Sequence, residues 1–332
     1  MSQDTLSDVL RAVRLRGAVF FDISGSSDWA AEAPPGSELA PLLMPGVDHV
    51  MEYHAVAQGT CWVGLVDAPA IQLNAGDVVL FPHGDAHVVS SAPGMRGKRD
   101  EVKQIADVKV DRSPLQLAYS GDGLIFPKPD EAGADVTIMC GFLGCDSHPF
   151  NPLIAALPRM LHLRASEDDG WMADFARQVV NESRAQRPGG EAMLARMSEM
   201  MFVNAVRRYA MQLDPQSVGW LAGLNDRFIG RALTLMHEQP AQPWTVDEIG
   251  RQVGLSRSAL HERFVQLIGL PPMQYLAQWR MQAAAGMLLE SRATVATIAM
   301  DVGYDSEAAF ARAFKRMVGK PPAAWRRDRS SK

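Results

Sequence analysis

The last hundred residues of this 332-residue chain state one pattern twice. Ser256–Phe264 followed by Gly269-Leu270-Pro271-Pro272 recurs 50 positions later as Ser306–Phe314 followed by Gly319-Lys320-Pro321-Pro322. Ahead of each copy stands a short amphipathic stretch ending in glycine. Thr245-Val246-Asp247-Glu248 is a capping box, Val246, Ile249 and Val253 form an apolar side, and Gly254 sits where a left-handed residue ends a helix. Thr294, then Val295, Ile298, Ala299 and Val302, then Gly303, repeat that logic. Two short helices around a glycine turn are the grammar of a helix-turn-helix. One copy would suit a plain helical bundle as well; two in register, each closed by Gly-x-Pro-Pro, are hard to obtain from packing alone.

Ser256, and Asp305 or Ser306, are the expected N-caps of the second helices, which bury Leu260, Phe264, Leu267 and Ile268 in one copy and Phe310, Phe314, Met317 and Val318 in the other. The opposite faces then present Arg257, Ser258, His261 and Glu262, and Glu307, Ala308, Ala311, Arg312 and Lys315. Between the copies, Met273–Leu289 reads as one long apolar helix, a strut fixing one unit relative to the other. Held on one face, two such helices fit successive major-groove segments about 34 Å apart. Charge agrees with a nucleic-acid partner only after division. The chain carries −5 overall, yet residues 225–332 hold 15 Lys+Arg against 10 Asp+Glu, and residues 1–224 hold 18 against 28. Arg312 is the best base-reading candidate, because its fork matches guanine O6 and N7. Lys315, Arg316, Lys320, Arg326 and Arg327 read as phosphate neutralisers.

Residues 226–327 closely resemble the AraC/XylS DNA-binding domain, most specifically in Gly303-Tyr304-Asp305-Ser306-Glu307-Ala308-Ala309-Phe310-Ala311-Arg312-Ala313-Phe314-Lys315-Arg316 with Pro321-Pro322. The resemblance implies a transcription factor, in most members an activator, acting on promoter DNA with RNA polymerase. It places base contacts at Ser258, His261 and Glu262 in the first recognition helix and at Glu307, Ala308 and Arg312 in the second. The acid at 262 departs from the commoner pattern; it repels phosphate but accepts from cytosine N4.

The front of the chain has a different rhythm. Short β-branched runs at Cys61–Val66, Val78–Phe81, Val88–Ser90 and Thr137–Cys140, cut by turn formers such as Asn74-Ala75-Gly76-Asp77, predict a sandwich or barrel. From Asp174, helical spacing predicts two helices joined at Arg187-Pro188-Gly189-Gly190. Gly76-Asp77-Val78-Val79-Leu80-Phe81-Pro82-His83-Gly84-Asp85-Ala86-His87 resembles the second cupin motif, and with His54-Ala55-Val56-Ala57-Gln58-Gly59 and Cys140-Gly141-Phe142 it is similar to the cupin-type sensor carried by some AraC regulators. A catalytic cupin holds its metal with a His-x-His pair, a carboxylate and a later His. Here His54 has no histidine partner two residues away and no Glu follows closely, so no metal, cofactor or catalytic residue is expected. His54, His83, His87 and Cys140 are the candidates for a small-molecule or metal pocket in the barrel mouth, against the plainer reading of structural histidines. Cys140 and Cys145 raise redox sensing as an option, although a buried apolar thiol is the more ordinary one.

The expected fold is therefore α+β and multidomain. A cupin-like sensor and dimerisation domain spans 8–212, with the barrel at about 8–165 and helices at about 171–211. A linker at 213–224 follows, then an all-α DNA-binding domain at 225–327 with helix-turn-helix units at about 245–269 and 294–319. Three cysteines, a polar start and no apolar run near the roughly 20 residues that span a bilayer point to the cytoplasm. The resemblance implies a regulator whose barrel answers a small-molecule effector, with the helices at 171–211 expected to carry a homodimer contact. The rivals are a metal-dependent cupin enzyme with an accessory DNA-binding module, and an adaptor whose helical repeat binds protein.

Overall fold

The computed structural model describes residues 4–26, 28–98, 115–120, 123–125, 135–146, 149–165, 171–185, 187–214 and 216–330. Its strands are β1 (Arg16–Gly25), β2 (Ala30–Ala33), β3 (His49–Gln58), β4 (Thr60–Leu65), β5 (Ile71–Asn74), β6 (Val78–Phe81), β7 (His87–Ser90), β8 (Leu115–Ser120), β9 (Gly123–Ile125), β10 (Val136–Cys145) and β11 (Leu161–Leu163). They form a seven-stranded sheet, β11-β6-β3-β10-β1-β8-β9, and a four-stranded sheet, β2-β7-β4-β5. All pairings are antiparallel except β1 with β8. The two sheets share one core, with Val63 and Val89 of the smaller in the same cluster as Phe21, Val56, Phe81 and Ile138 of the larger.

The helices are α1 (Thr5–Ala12), α2 (Gly36–Leu43), α3 (Pro152–Ala155), α4 (Trp171–Ala185), α5 (Gly190–Gln212), α6 (Trp220–Asn225), α7 (Arg227–Glu238), α8 (Val246–Val253), α9 (Arg257–Ile268), α10 (Pro272–Glu290), α11 (Val295–Asp301), α12 (Glu307–Val318) and α13 (Pro322–Ser330). The chain divides into two compact units, one of 15–145 with 157–205, the other of 1–14, 146–156 and 206–332. The division is thus not the single cut expected at 213–224. Part of that stretch is helix α6, because Trp220 and Leu221 are apolar payload; both are buried, and Trp220 Nε1 donates to Tyr275 Oη at 2.7 Å.

In the barrel unit, period-two alternation sorts the central strands into two faces. On β3, Val50 and Val56 join the inner cluster, whereas Tyr53 points the other way and its hydroxyl meets Ser198 of α5 at 2.6 Å. On β10, Val136, Ile138, Cys140 and Phe142 face inward. Gly141 lies on the outer face, where a Cβ would come within 2.3 Å of the Tyr53 ring, so glycine is what lets that tyrosine lie flat on its neighbour. Asp22 of β1 faces out and accepts from Arg184 of α4 at 3.0 Å.

In the helical unit the caps form as the sequence predicts. Thr245 and Ser256 Oγ accept from the N–H of Glu248 and Ala259 at 3.1 and 3.3 Å, and Thr294 and Ser306 from those of Thr297 and Ala309 at 3.1 and 3.2 Å. Of the two options at the last position, Ser306 is therefore the cap. Gly254 and Gly303 both take φ near +80°. The strut α10 binds both copies. Arg280 donates to the Pro240 and Gln242 carbonyls at 2.7 and 2.8 Å, just ahead of the first copy, and to the Gly303 carbonyl in the second turn at 3.3 Å. Buried Gln282 donates to Ala12 O at 2.9 Å and accepts from Phe150 N at 3.0 Å, tying in the two segments from the front of the chain.

One polar relay crosses this core. An indole N–H only donates, so the Tyr275 hydroxyl accepts from Trp220, and His237 Nε2 shares a hydrogen bond with the same hydroxyl at 2.8 Å. His237, stacked on Trp279 at 3.7 Å, is pushed by burial to a pKa of about 3. A folded value below the unfolded one means stability is lost as pH falls from about 6.5 toward 3. The helical unit should lose up to about 1.4 kcal/mol per pH unit in that window, and His237→Gln should flatten the slope, as read by tryptophan fluorescence in urea titrations.

The two turn glycines are unequal. A Cβ at Gly254 meets open space, whereas at Gly303 it meets Ala241 O at 2.8 Å and Arg280 Nη2 at 2.9 Å. Gly254→Ala should therefore cost about 1 kcal/mol of left-handed strain, and Gly303→Ala about 2–3 kcal/mol, measured by urea unfolding.

Candidate functional site

Glu52 and His54 stand two residues apart on the inner face of β3, and β7 and β10 bring His87 and Cys140 against them. His54 Nε2 lies 2.7 Å from His87 Nε2, and His54 Nδ1 lies 2.6 Å from Cys140 Sγ. Glu52 holds one oxygen 3.8 Å from His54 Nε2 and the other 3.6 Å from His87 Nε2. These side chains open on a chamber of about 40 Å3, walled by Phe21, Trp29, Leu117, Tyr119 and Phe142 among others. That volume admits roughly three waters, or an ion with its water, and no sizeable organic molecule.

The hydrogen-bond directions follow from the partners. The Asp85 carbonyl only accepts, so His87 Nδ1 carries the proton of that 2.9 Å bond and His87 Nε2 offers a lone pair to the site. His54 Nε2 then donates to it, leaving Nδ1 to accept from the Cys140 thiol. The chain is neutral throughout. Burial lowers His54 well below the ordinary imidazole value and His87 to about 4, and it raises Glu52 to about 8 and the Cys140 thiol well above its usual range.

Of the four pocket candidates read from the sequence, His54, His87 and Cys140 converge. His83 does not. Its Nε2 bonds the Leu157 carbonyl at 2.9 Å, and its ring borders a separate surface hollow with His49 and Arg159. Glu52 is the residue that sequence reasoning missed. His54 has no histidine two places away and no carboxylate close after it, whereas the strand supplies the carboxylate two places before it. With Glu52 included, three ligand atoms lie within 4.8 Å of one another, and among the described residues Glu52, His54 and His87 could hold a metal ion.

On the helical unit, Arg257, Ser258, His261 and Glu262 of α9 and Glu307, Ala308, Arg312 and Lys315 of α12 are exposed, with Ala311 half-buried. They lie opposite Leu260 and Phe264, and Phe310 and Phe314, all fully buried. Arg257 pairs with Asp247 at 3.3 Å, whereas the Arg312 and Lys315 side chains have no partner among the described residues. Among the cations read as phosphate neutralisers, Arg326 and Lys320 are occupied. Arg326 donates to the Leu288 and Ala293 carbonyls at 2.8 Å each, which makes it a clasp on the end of α10, and Lys320 pairs with Asp328 at 2.6 Å.

Comparison with known proteins agrees with both halves. The family model described as cupin matches residues 4–211, and that described as helix-turn-helix domain matches residues 249–328. A putative AraC-like transcription regulator of Streptomyces lividans is 29% identical over 335 residues, covering 98% of each chain. The HTH-type transcriptional regulator AlkR of Acinetobacter baylyi is 28% identical over 333 residues, covering 98% of this chain and 99% of its own. Among solved structures, the DNA-binding domain of AdpA in complex with a target DNA is 27% identical and covers 31% of this chain and 92% of its own, with a TM-score of 0.30. The chain belongs to the AraC-type DNA-binding transcriptional regulators that carry a cupin domain ahead of the helix-turn-helix domain. No helix among the described residues is long and apolar enough to cross a membrane.

All three cysteines, Cys61, Cys140 and Cys145, are buried and unpaired by disulfides, and burial pushes Cys61 up to about 12. A colorimetric thiol titration at pH 8 should find none of them in the folded protein and all three after unfolding.

Proposed function

We propose that α9 and α12 enter successive major-groove segments of a promoter, with the first helix choosing the site and the second supplying shared affinity. The carrying observation is the pair of exposed faces set opposite buried Phe264 and Phe314, on helices tied to one strut. In this reading Arg312 pairs with guanine, Lys315 neutralises a phosphate, Glu307, Ala308 and Ala311 line the same groove, and Arg257, Ser258, His261 and Glu262 read the other half-site. Such a regulator works in the cytoplasm, beside RNA polymerase, as a homodimer; Met193 and Met200 of α5, two turns apart and about half exposed at 55% and 52%, support a second copy as partner. The barrel senses a small chemical signal, and the chamber's size speaks against the rival of a cupin enzyme turning over an organic substrate.

The roles separate under mutation of the full-length protein. Arg312→Ala should cost about 1–3 kcal/mol of specific binding and relax preference at one base pair, whereas Lys315→Ala should weaken binding evenly across sequences and lower the salt slope by about 1. Electrophoretic mobility shifts over a salt series, with a footprint on the promoter beside the protein's own coding region, read both. Salt-insensitive binding, or an unchanged preference in Arg312→Ala, refutes the assignment.

A further inference from the structure

Fifty positions on from each residue of the first recognition helix stands its counterpart in the second, and Arg263 falls on Ala313. Ala313 packs on the cluster of Phe310 and Phe314. The guanidinium at 263 instead reaches out of α9 to the residue that caps α7. Its Nε lies 3.1 Å from each oxygen of Asp226, and Nη2 bonds Oδ2 as well. A fork laid on a carboxylate in this way fixes direction as well as distance. We propose that Asp226 and Arg263 form a positioning clamp that sets the angle of α9, so that the pair determines specificity at the first half-site without touching a base.

The anchor end of the clamp is rigid. Asp226 also caps α7, accepting from the N–H of Phe228 and Ile229 at 3.1 and 2.9 Å, and α7 buries Ile229, Ala232, Leu233 and Met236. The carboxylate therefore stays with α7, and α9 has to come to it. Burial works to raise the Asp226 carboxyl, yet the Arg263 guanidinium and the two backbone N–H groups hold it below the usual carboxylate range, so the pair is charged at neutral pH. Two further ties seat the C-terminal half of α9 on α6. The Gly219 N–H donates to the Leu267 carbonyl at 2.8 Å, and a Cβ at Gly223 would come within 2.4 Å of Ile268 Cδ1, so α6 lies close against the end of α9. All three ties sit at or beyond residue 263, whereas the exposed Ser258, His261 and Glu262 lie before it. Ser258 is five residues from Arg263, about 7.5 Å along the helix, and a tilt of about 10° about the clamp displaces it by about 1.3 Å. A hydrogen bond of about 2.9 Å to a base edge does not survive that shift.

The clamp rests on the reading of α9 as a groove-entering helix. The test uses full-length Arg263→Ala, Arg263→Lys and Asp226→Asn, with single base changes through both half-sites of the promoter footprint, read by mobility shift over a salt series. In the wild type each wrong base in the first half-site is expected to weaken binding at least about fivefold. Arg263→Ala should shrink that penalty below about twofold while leaving the second half-site's penalties and the salt slope unchanged. Asp226→Asn, whose amide oxygen still caps α7, should do the same, and Arg263→Lys, which keeps the charge but not the fork, should fall between. The double variant should be no worse than either Arg263→Ala or Asp226→Asn alone, because both remove one interaction. A merely stabilising pair would lower the urea midpoint of unfolding and leave the first-half-site penalties intact in folded variants, and that outcome overturns the clamp. So does an even loss across all sequences with the salt slope down by about 1, the mark of a phosphate contact. Circular dichroism identifies folded variants, and if Arg263→Ala collapses, Asp226→Asn and Arg263→Lys decide. A wild type that binds with salt sensitivity yet shows no penalty in the first half-site overturns the reading of α9 together with the clamp, whereas wild-type penalties that persist in every variant overturn the clamp alone.

Discussion

One guanidinium sets the geometry of the DNA-binding half. Arg280, on the strut α10, has its donors spent on carbonyls ahead of the first helix-turn-helix copy and in the turn of the second. Each copy is short, two helices of at most 12 residues, and the strut extends the surface that each can bury. The strut supplies that surface, with Tyr275 against Phe264 on one side and Met281, Ala284, Ala285 and Leu288 in the cluster of Phe310 and Phe314 on the other. The guanidinium adds direction to burial, since a planar fork fixes three backbone positions at once. Spacing between α9 and α12 is thus a property of one helix and one side chain.

The barrel depends on an equally simple constraint, the two-residue period of its central strands. The same alternation that turns Tyr53 toward Ser198 turns Glu52 and His54 inward, so the polar cluster and the helical cover are built by neighbouring residues of β3. A one-residue slip of β3 against β10 would exchange the two sets, placing Tyr53 in the chamber and the carboxylate under α5. Gly141 guards the register, because any larger residue would strike the Tyr53 ring.

Sequence reading reached the DNA-binding half almost completely, because its signals are local. Caps, turn glycines and the apolar stripes of α9 and α12 each lie within a dozen residues, and hydroxyl caps and left-handed glycines follow from backbone chemistry alone. It failed where partners are distant. Arg326 looks like any surface cation until the end of α10 is seen above it, and Trp220 looks like linker until Tyr275 is there to accept its N–H. The polar cluster of the barrel is half legible. Motif resemblance points to His54, His87 and Cys140, and also to His83, whose ring bonds the Leu157 carbonyl instead. Glu52 was invisible for want of a strand assignment at 49–58; once β3 is drawn, the face it shares with His54 is a matter of counting by two.

The amide of Gln282 bears on how such regulators can be rearranged. It clasps the end of α1 and the segment before α3 within the unit that carries the recognition helices, and Thr5 meets Thr234 of α7 at 2.8 Å in the same unit. The reading head is therefore not a cassette that begins at residue 225. A recombination event that exchanges only the C-terminal third would leave the Ala12 carbonyl and the Phe150 N–H without Gln282, and Thr5 without Thr234, unless the incoming piece brought matching residues. Substitutions along the exposed outer faces of α9 and α12 disturb none of these ties, whereas wholesale shuffling of the C-terminal third breaks them.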